Sequence, residues 1–179
     1  MQDAATILVV MGVSGCGKST IGGAIAAKLG WLYEEGDDFH PPSNIAKMRA
    51  GKPLDDTDRQ PWLAAIARWM EAQTDARQPA VIGCSALKRS YRDFLRDDRP
   101  RVWFLYLRVS RGVLQQRVEK RHHEYMPASL LDSQLATLEE PAPGEPRCIT
   151  LDATDDVSAT VDAALCALHR LGVLCGEKQ

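Results

Sequence analysis

Apolar residues gather along this chain in short dense runs, separated by longer stretches in which they recur every three or four positions. Runs at 6–11, 79–84, 102–109 and 147–151 are rich in Val, Ile, Leu and aromatic residues, with a weaker run at 31–34. Runs of this length and make-up predict buried strands. Between them the period changes. Residues 18–29 predict a helix closed by Gly30; Trp62, Ile66 and Trp69 share one helical face, and Val157, Val161, Leu165 and Leu168 share another. Strands alternating with helices predict an α/β fold with a parallel sheet covered on both faces, and ligands of such sheets bind beyond the carboxyl ends of the strands.

The end of the first strand carries the clearest chemistry. Ile7-Leu8-Val9-Val10-Met11 runs directly into Gly12-Val13-Ser14-Gly15-Cys16-Gly17-Lys18-Ser19-Thr20. Glycines at these offsets let successive backbone N–H groups face inward as an anion nest, and a helix starting near Lys18 aims its positive end at the same place. This spacing predicts a nucleoside triphosphate, with Lys18 on the β and γ oxygens and the Ser19 hydroxyl on Mg²⁺. Cys16 reads as a small filler at a variable position of the loop.

Composition narrows the setting. A chain of 179 residues with 45% apolar content fits one domain, read here as 1–179. Its net charge of −2, with acids and bases interspersed, provides no basic field for nucleic acid or an anionic membrane. Five cysteines without a C-x-x-C pair argue for reduced thiols rather than a disulfide or zinc framework. No signal peptide or membrane-spanning run is seen, so a cytoplasmic location is expected.

Further candidates lie at other strand ends. Glu34-Glu35-Gly36-Asp37-Asp38-Phe39-His40 follows the weak second strand. Glu35 and Asp37, two apart on an extended strand end, are expected on one face. Asp37 is then the candidate base for an acceptor hydroxyl, and Glu35 sits nearer the metal's water shell, while Glu34 and Asp38 read as solvated turn residues. His40, before Pro41-Pro42, is either fixed toward a ligand or an ordinary turn histidine. Asn44–Arg49, followed by Gly51, reads as a short helix on which Lys47 either meets a carboxylate or stays solvated. Asp55-Asp56-Thr57-Asp58 caps the next helix, leaving Arg59 to be compensated by Asp37, Asp55 or a substrate carboxylate. After the third run, Lys88 and Arg92 stand four apart near a helix start, beside Ser85. They either hold an anion between them or pair with Asp93 or Asp97. Arg117–Pro127 is polar, basic and weakly periodic, of a size that suits a mobile lid or an ordinary solvated loop.

Taken together, Met11–Ser19, Glu35–Pro41, Asn44–Pro53 with Lys47-Met48, Leu54–Arg59 with Pro61-Trp62-Leu63, Cys84–Asp93, Met126–Gln134 and Thr137–Pro141 resemble the gluconate kinase family over most of the chain from 7 to about 152. The resemblance implies a three-layer kinase fold with a five-stranded parallel sheet in the order 2-3-1-4-5 and a lid at about 117–135. It implies ATP-dependent, Mg²⁺-dependent phosphorylation of D-gluconate to 6-phosphogluconate, feeding the pentose phosphate or Entner–Doudoroff route, in a protein that is typically a homodimer. By the same resemblance Asp37 contacts the accepting hydroxyl, Lys88 and Arg92 bind the gluconate carboxylate, and His40 and Ser85 meet its polyol chain. Arg117 would stack on adenine, and Arg121 would stabilise the transferring phosphoryl group. In the lid, where relatives read Arg-Lys-Gly-His-Phe, this chain has Arg121-His122-His123-Glu124-Tyr125. Two rival readings are a kinase for shikimate or another small hydroxy acid, since the fold does not choose the pocket, and a nucleotide-gated regulatory module.

Overall fold

A computed structural model describes residues 5–120, 128–153 and 156–174 of the chain. Its elements alternate in sequence: β1 (Ile7–Met11), α1 (Lys18–Leu29), β2 (Leu32–Glu35), α2 (Pro42–Arg49), α3 (Asp56–Asp75), β3 (Ala80–Cys84), α4 (Arg89–Arg96), β4 (Val102–Arg108), α5 (Arg111–Lys120), α6 (Ala128–Thr137), β5 (Cys148–Asp152) and α7 (Val157–Arg170). All five expected strands form, and every pairing is parallel in the order β2-β3-β1-β4-β5.

Alternation along each strand divides the core into two layers. Leu8 and Val10 face Ile21 and Ile25 of α1 and Val161 and Leu168 of α7. Ile7, Val9 and Met11 face Trp62, Ile66 and Met70 of α3 and Leu95 of α4. Because both faces are sealed by helices, β1 is buried at every position, which is why its sequence reads as a continuous apolar run. Strand ends are aligned by register: Met11 lies opposite both Cys84 and Tyr106, and Glu35 lies opposite Gly83. The loops that leave these strands therefore share one edge of the sheet.

Two local outcomes differ from expectation. The second strand stops at Glu35, and Gly36–Phe39 forms a single turn of 3-10 helix, so Glu35 and Asp37 are not successive same-face positions of one strand. The cause is packing. Gly36 lies so close to β3 that a Cβ there would press into the Gly83 carbonyl oxygen, and the Gly36 carbonyl accepts a 2.7 Å hydrogen bond from the Trp62 indole. With its carbonyl turned to Trp62, the chain bends. Separately, α2 begins at Pro42 rather than Asn44, since proline's fixed φ suits a first helical turn.

Gly36→Ala is expected to destabilise the fold by about 2 kcal/mol through overpacking, a fall in Tm of roughly 6 °C for a chain of this size. Gly23→Ala in α1, where a Cβ would meet nothing within 4 Å, is the control and should hold or raise Tm. Thermal unfolding of the two variants checks the contrast.

Candidate active site

The turn between β1 and α1 is built around three glycines with positive φ: Gly12 at 143°, Gly15 at 81° and Gly17 at 103°. A side chain is strained at such angles, and their effect is to wrap the backbone so that its amides turn inward. Lys18 opens α1 and folds back over the loop, donating to the carbonyls of Gly12 and Val13 at 3.1 Å each. Ser19 and Thr20 follow, exposed, in the first turn of the helix. From α5, the Arg117 guanidinium donates to the Gly15 carbonyl at 3.3 Å and the Cys16 carbonyl at 3.5 Å, so this side chain lies against the loop.

Beside the loop, a solvent-open cleft, about 640 Å³ with open solvent included, takes in groups from several segments, among them Met48 of α2 and Pro53 and Leu54 beyond it. Ser14 and Lys18 come from the phosphate loop, Asp37 and His40 from the turn after β2, and Arg59 and Trp62 from α3. Ser85 and Leu87 come from the loop after β3, and Leu130, Ser133 and Gln134 from α6. Asp37 is 73% exposed at the mouth, with its Oδ1 4.0 Å from His40 Nε2.

His40 is fixed from every side. It stacks on Trp62 with ring centroids 4.5 Å apart and planes 10° from parallel. Asn44 Nδ2 lies 2.8 Å from the Asp58 carbonyl and 3.2 Å from His40 Nδ1. A carbonyl only accepts, so the Asn44 amide nitrogen is the donor to both, and Nδ1 must be the bare ring nitrogen. The proton of neutral His40 thus sits on Nε2, pointing toward Asp37. Burial pulls the imidazole below its usual pKa of 6.5; the Asp37 carboxylate works against this and Arg59 with it.

Comparison with known proteins places this geometry. The shikimate kinase family model matches residues 14–163. The chain is 52% identical over 139 residues to the gluconokinase of Gluconobacter oxydans (strain 621H), covering 78% of each protein. Among solved structures it superposes on a gluconokinase from Sinorhizobium meliloti 1021 with a TM-score of 0.83, 47% identity and 95% coverage of both chains. An unliganded sugar kinase from Janibacter sp. HTCC2649 gives 0.86 at 46% identity, covering 95% of this chain and 96% of the other. The chain belongs to the gluconokinase family. It is a P-loop kinase, and its five-stranded parallel sheet has the order the resemblance implied. A nucleotide is its phosphoryl donor. No helix among the described residues is long and apolar enough to cross a membrane.

Within the family frame, the four cations read as substrate contacts divide into one, Arg59, that lines the cleft and three held by carboxylates. Arg59 lines the cleft, 9% exposed; its Nη1 reaches the Tyr91 hydroxyl at 3.3 Å, and its guanidinium lies 5.7 Å from that ring's centre. Neither Asp37 nor Asp55 forms an ion pair with it among the described residues. Lys47 instead pairs with Asp58 and, at 3.4 Å, with Asp55, the two acids that form the reciprocal cap of α3. Lys88 is bound by both oxygens of Asp56, at 2.7 and 2.8 Å, and holds that carboxyl below the usual range, assisted by the Tyr91 hydroxyl.

Arg92 corrects the sequence reading most sharply. Expected to share an anion with Lys88, it is 0% exposed and grips Glu145 with two hydrogen bonds of 2.7 and 2.9 Å. Its third arm donates to the carbonyls of Ala86, Leu87 and Glu139. Arg96 adds a further contact to Glu145 at 3.0 Å, and Arg92 in particular holds the Glu145 carboxyl low. Nothing local marks this partner, which lies 53 positions away between Gly144 and Pro146. Arg92 therefore braces the wall carrying Ser85 and Leu87 through these carbonyls. Of the remaining expectations, Glu35 accepts a 2.8 Å hydrogen bond from the Tyr33 hydroxyl. Arg121, with His122, His123 and Glu124, lies outside the described residues.

Several neighbours of the site carried no sequence signal as such. Trp62 reads simply as core, yet it backs His40 and pins the turn that presents Asp37. Asn44, Tyr91 and Tyr33 orient His40, Arg59 and Glu35 in turn. The Cys84 thiol, fully buried beneath the cleft, is pushed up to about 12 by burial, so it stays protonated and unreactive.

Two outcomes follow from these contacts. Arg92→Met leaves the buried Glu145 carboxylate with Arg96 alone and should cost roughly 3 kcal/mol, measured by urea unfolding, with Arg92→Met/Glu145→Leu recovering part of the loss. For His40, the folded-state pKa lies below the unfolded value, so its contribution is intact above 6.5 and is lost as pH falls from there toward the folded value. Wild-type Tm should decline as pH falls below about 6.5, and His40→Gln should flatten that slope. The lowered carboxyls, Asp56, Asp58 and Glu145, act at lower pH, beneath their ordinary 3.8 and 4.5.

Proposed function

We propose that the protein transfers the terminal phosphoryl group of ATP to the primary hydroxyl of D-gluconate, giving ADP and 6-phosphogluconate. The observation that carries this is a single cleft holding the phosphate loop with Lys18, a solvent-facing carboxylate, and a second cation, Arg59, with no carboxylate ion pair among the described residues. Such a transfer needs little covalent work from the protein; positioning and charge stabilisation supply most of the effect.

The residues present fit a triphosphate. The wrapped loop offers an N–H at Ser14 that already meets an acceptor oxygen, and Lys18 rests on weak neutral carbonyls from which phosphate oxygens would draw it. Magnesium would be held by Ser19, with Glu35 reaching its water shell, and would neutralise charge on the phosphates. Gluconate is an anion with a row of hydroxyls, and the cleft is complementary to it. Arg59, steadied by Tyr91, binds the carboxylate. Neutral His40 donates from Nε2 to a hydroxyl, and Ser85 contributes a hydroxyl that both donates and accepts. Asp37 takes the proton of the attacking hydroxyl as its oxygen bonds to phosphorus and the bond to ADP breaks. Lys18 offsets the charge that moves to the leaving group. Arg117 follows the nucleotide, a role supported by its contacts with the Gly15 and Cys16 carbonyls of the loop.

Incubation with ATP, Mg²⁺ and a panel of acids including gluconate and shikimate, read by mass spectrometry, should yield phosphorylated gluconate as the main product. Preferential phosphorylation of shikimate, or ATP binding without any transfer, would reject the assignment in favour of another hydroxy-acid kinase or a regulatory module. Asp37→Asn should lower kcat by about 10²–10⁴ with ATP affinity retained. Arg59→Met should raise the gluconate KM about tenfold or more while changing that for ATP little.

A further inference from the structure

One contact in the cleft joins the phosphate loop to α6. The Ser14 backbone N–H donates to Gln134 Oε1 at 2.7 Å, across 120 positions of sequence. Both residues line the cleft that also contains Lys18 and Asp37. A neutral carboxamide oxygen therefore occupies an amide of the nest, the place suited to a phosphate oxygen.

The support for Gln134 is firm. Its own carbonyl accepts from Leu138 N at 2.9 Å in regular helical geometry. Just beyond, Glu139 N donates to the Leu87 carbonyl at 2.8 Å, and the Glu139 carboxylate accepts from Arg89 N at 2.8 Å. Arg92 grips the Glu139 carbonyl at 3.0 Å. The C-terminal end of α6 is thereby fastened to the loop after β3, and the carboxamide reaches the nest from a fixed base.

A primary amide carries an acceptor at one end and two donors at the other, exchanged by a half-turn about its last side-chain bond. Only one acceptor can take the Ser14 N–H. We propose that Gln134 responds to nucleotide: with the nest empty its oxygen takes that N–H, and when ATP's phosphates claim it the carboxamide turns so that Nε2 donates to the phosphate. The same side chain is then a competitor before binding and a ligand afterward. This inference rests on the reading that the nest binds ATP, and it adds a residue of α6 to those that meet the phosphates.

The proposal is tested by isothermal titration of ATP–Mg²⁺ into wild type, Gln134→Glu and Gln134→Met, with thermal melts to verify folding. The acidic replacement keeps the acceptor, adds charge and loses the donor. It should weaken ATP at least tenfold without lowering the Tm of the ligand-free protein. The apolar replacement removes competitor and ligand together, and should leave ATP affinity within about threefold. On wild type, the Gln134 side-chain NH₂ resonances, identified by their loss in Gln134→Met, should shift on adding a non-hydrolysable ATP analogue with Mg²⁺ and not on adding gluconate alone. ATP affinity of Gln134→Glu within threefold of wild type, or side-chain resonances unmoved by nucleotide, overturns the inference while leaving the kinase reading intact. Failure of wild type itself to bind ATP overturns both.

Discussion

A parallel sheet sealed on both faces leaves its carboxyl edge as the place where polar groups can gather, and everything in this site depends on that constraint. Backbone pairing aligns Met11, Cys84, Tyr106 and, one strand further out, Glu35 at nearly one level. The loops that follow must turn away from the sheet there. The phosphate loop, the Asp37 turn and the Ser85 loop are neighbours because their strands end together, although they are far apart in sequence.

Charge pairing then decides which of the many ionic side chains remain open to a ligand. Lys47 and Lys88 are near the cleft but committed to Asp58 and Asp56. These acids are also fixed: Asp58 belongs to the cap of α3, and Asp56 is bonded to Tyr91. Arg59, one residue past the cap, is left with a phenol and a ring face. A guanidinium so placed keeps its capacity for a bidentate carboxylate contact. On the proposed reading, pairing of the other cations leaves Arg59 as the group that meets the acid.

The buried Arg92–Glu145 pair plays a different part. Ion pairs of this kind rarely add net stability over apolar residues, because both charges lose their water. What this pair adds is geometry. One guanidinium gathers carbonyls from the loop after β3 and from the segment after α6, and so sets two walls of the cleft against each other. Ala86, with a positive φ of 40°, is held in a conformation costly for a non-glycine residue, and its carbonyl is one of those Arg92 grips.

What the sequence determined by itself is what depends on short range. Strand-length apolar runs, helical periodicity, the glycine spacing of the phosphate loop and the Asp55 cap are local patterns, and each formed where the pattern lay. The kinase family was also legible, since its motifs are local segments. Tertiary structure decided the rest, because it depends on partners distant in the chain. Period-two reasoning placed Glu35 and Asp37 on one face, but Gly36 packing against Gly83 and Trp62 made a turn instead. Helical spacing joined Lys88 to Arg92, but carboxylates 32 and 53 positions away claimed them separately. Gln134 reached Ser14 across 120 positions. An ionic or polar side chain takes the best partner the fold brings near, and no local pattern states which one that will be.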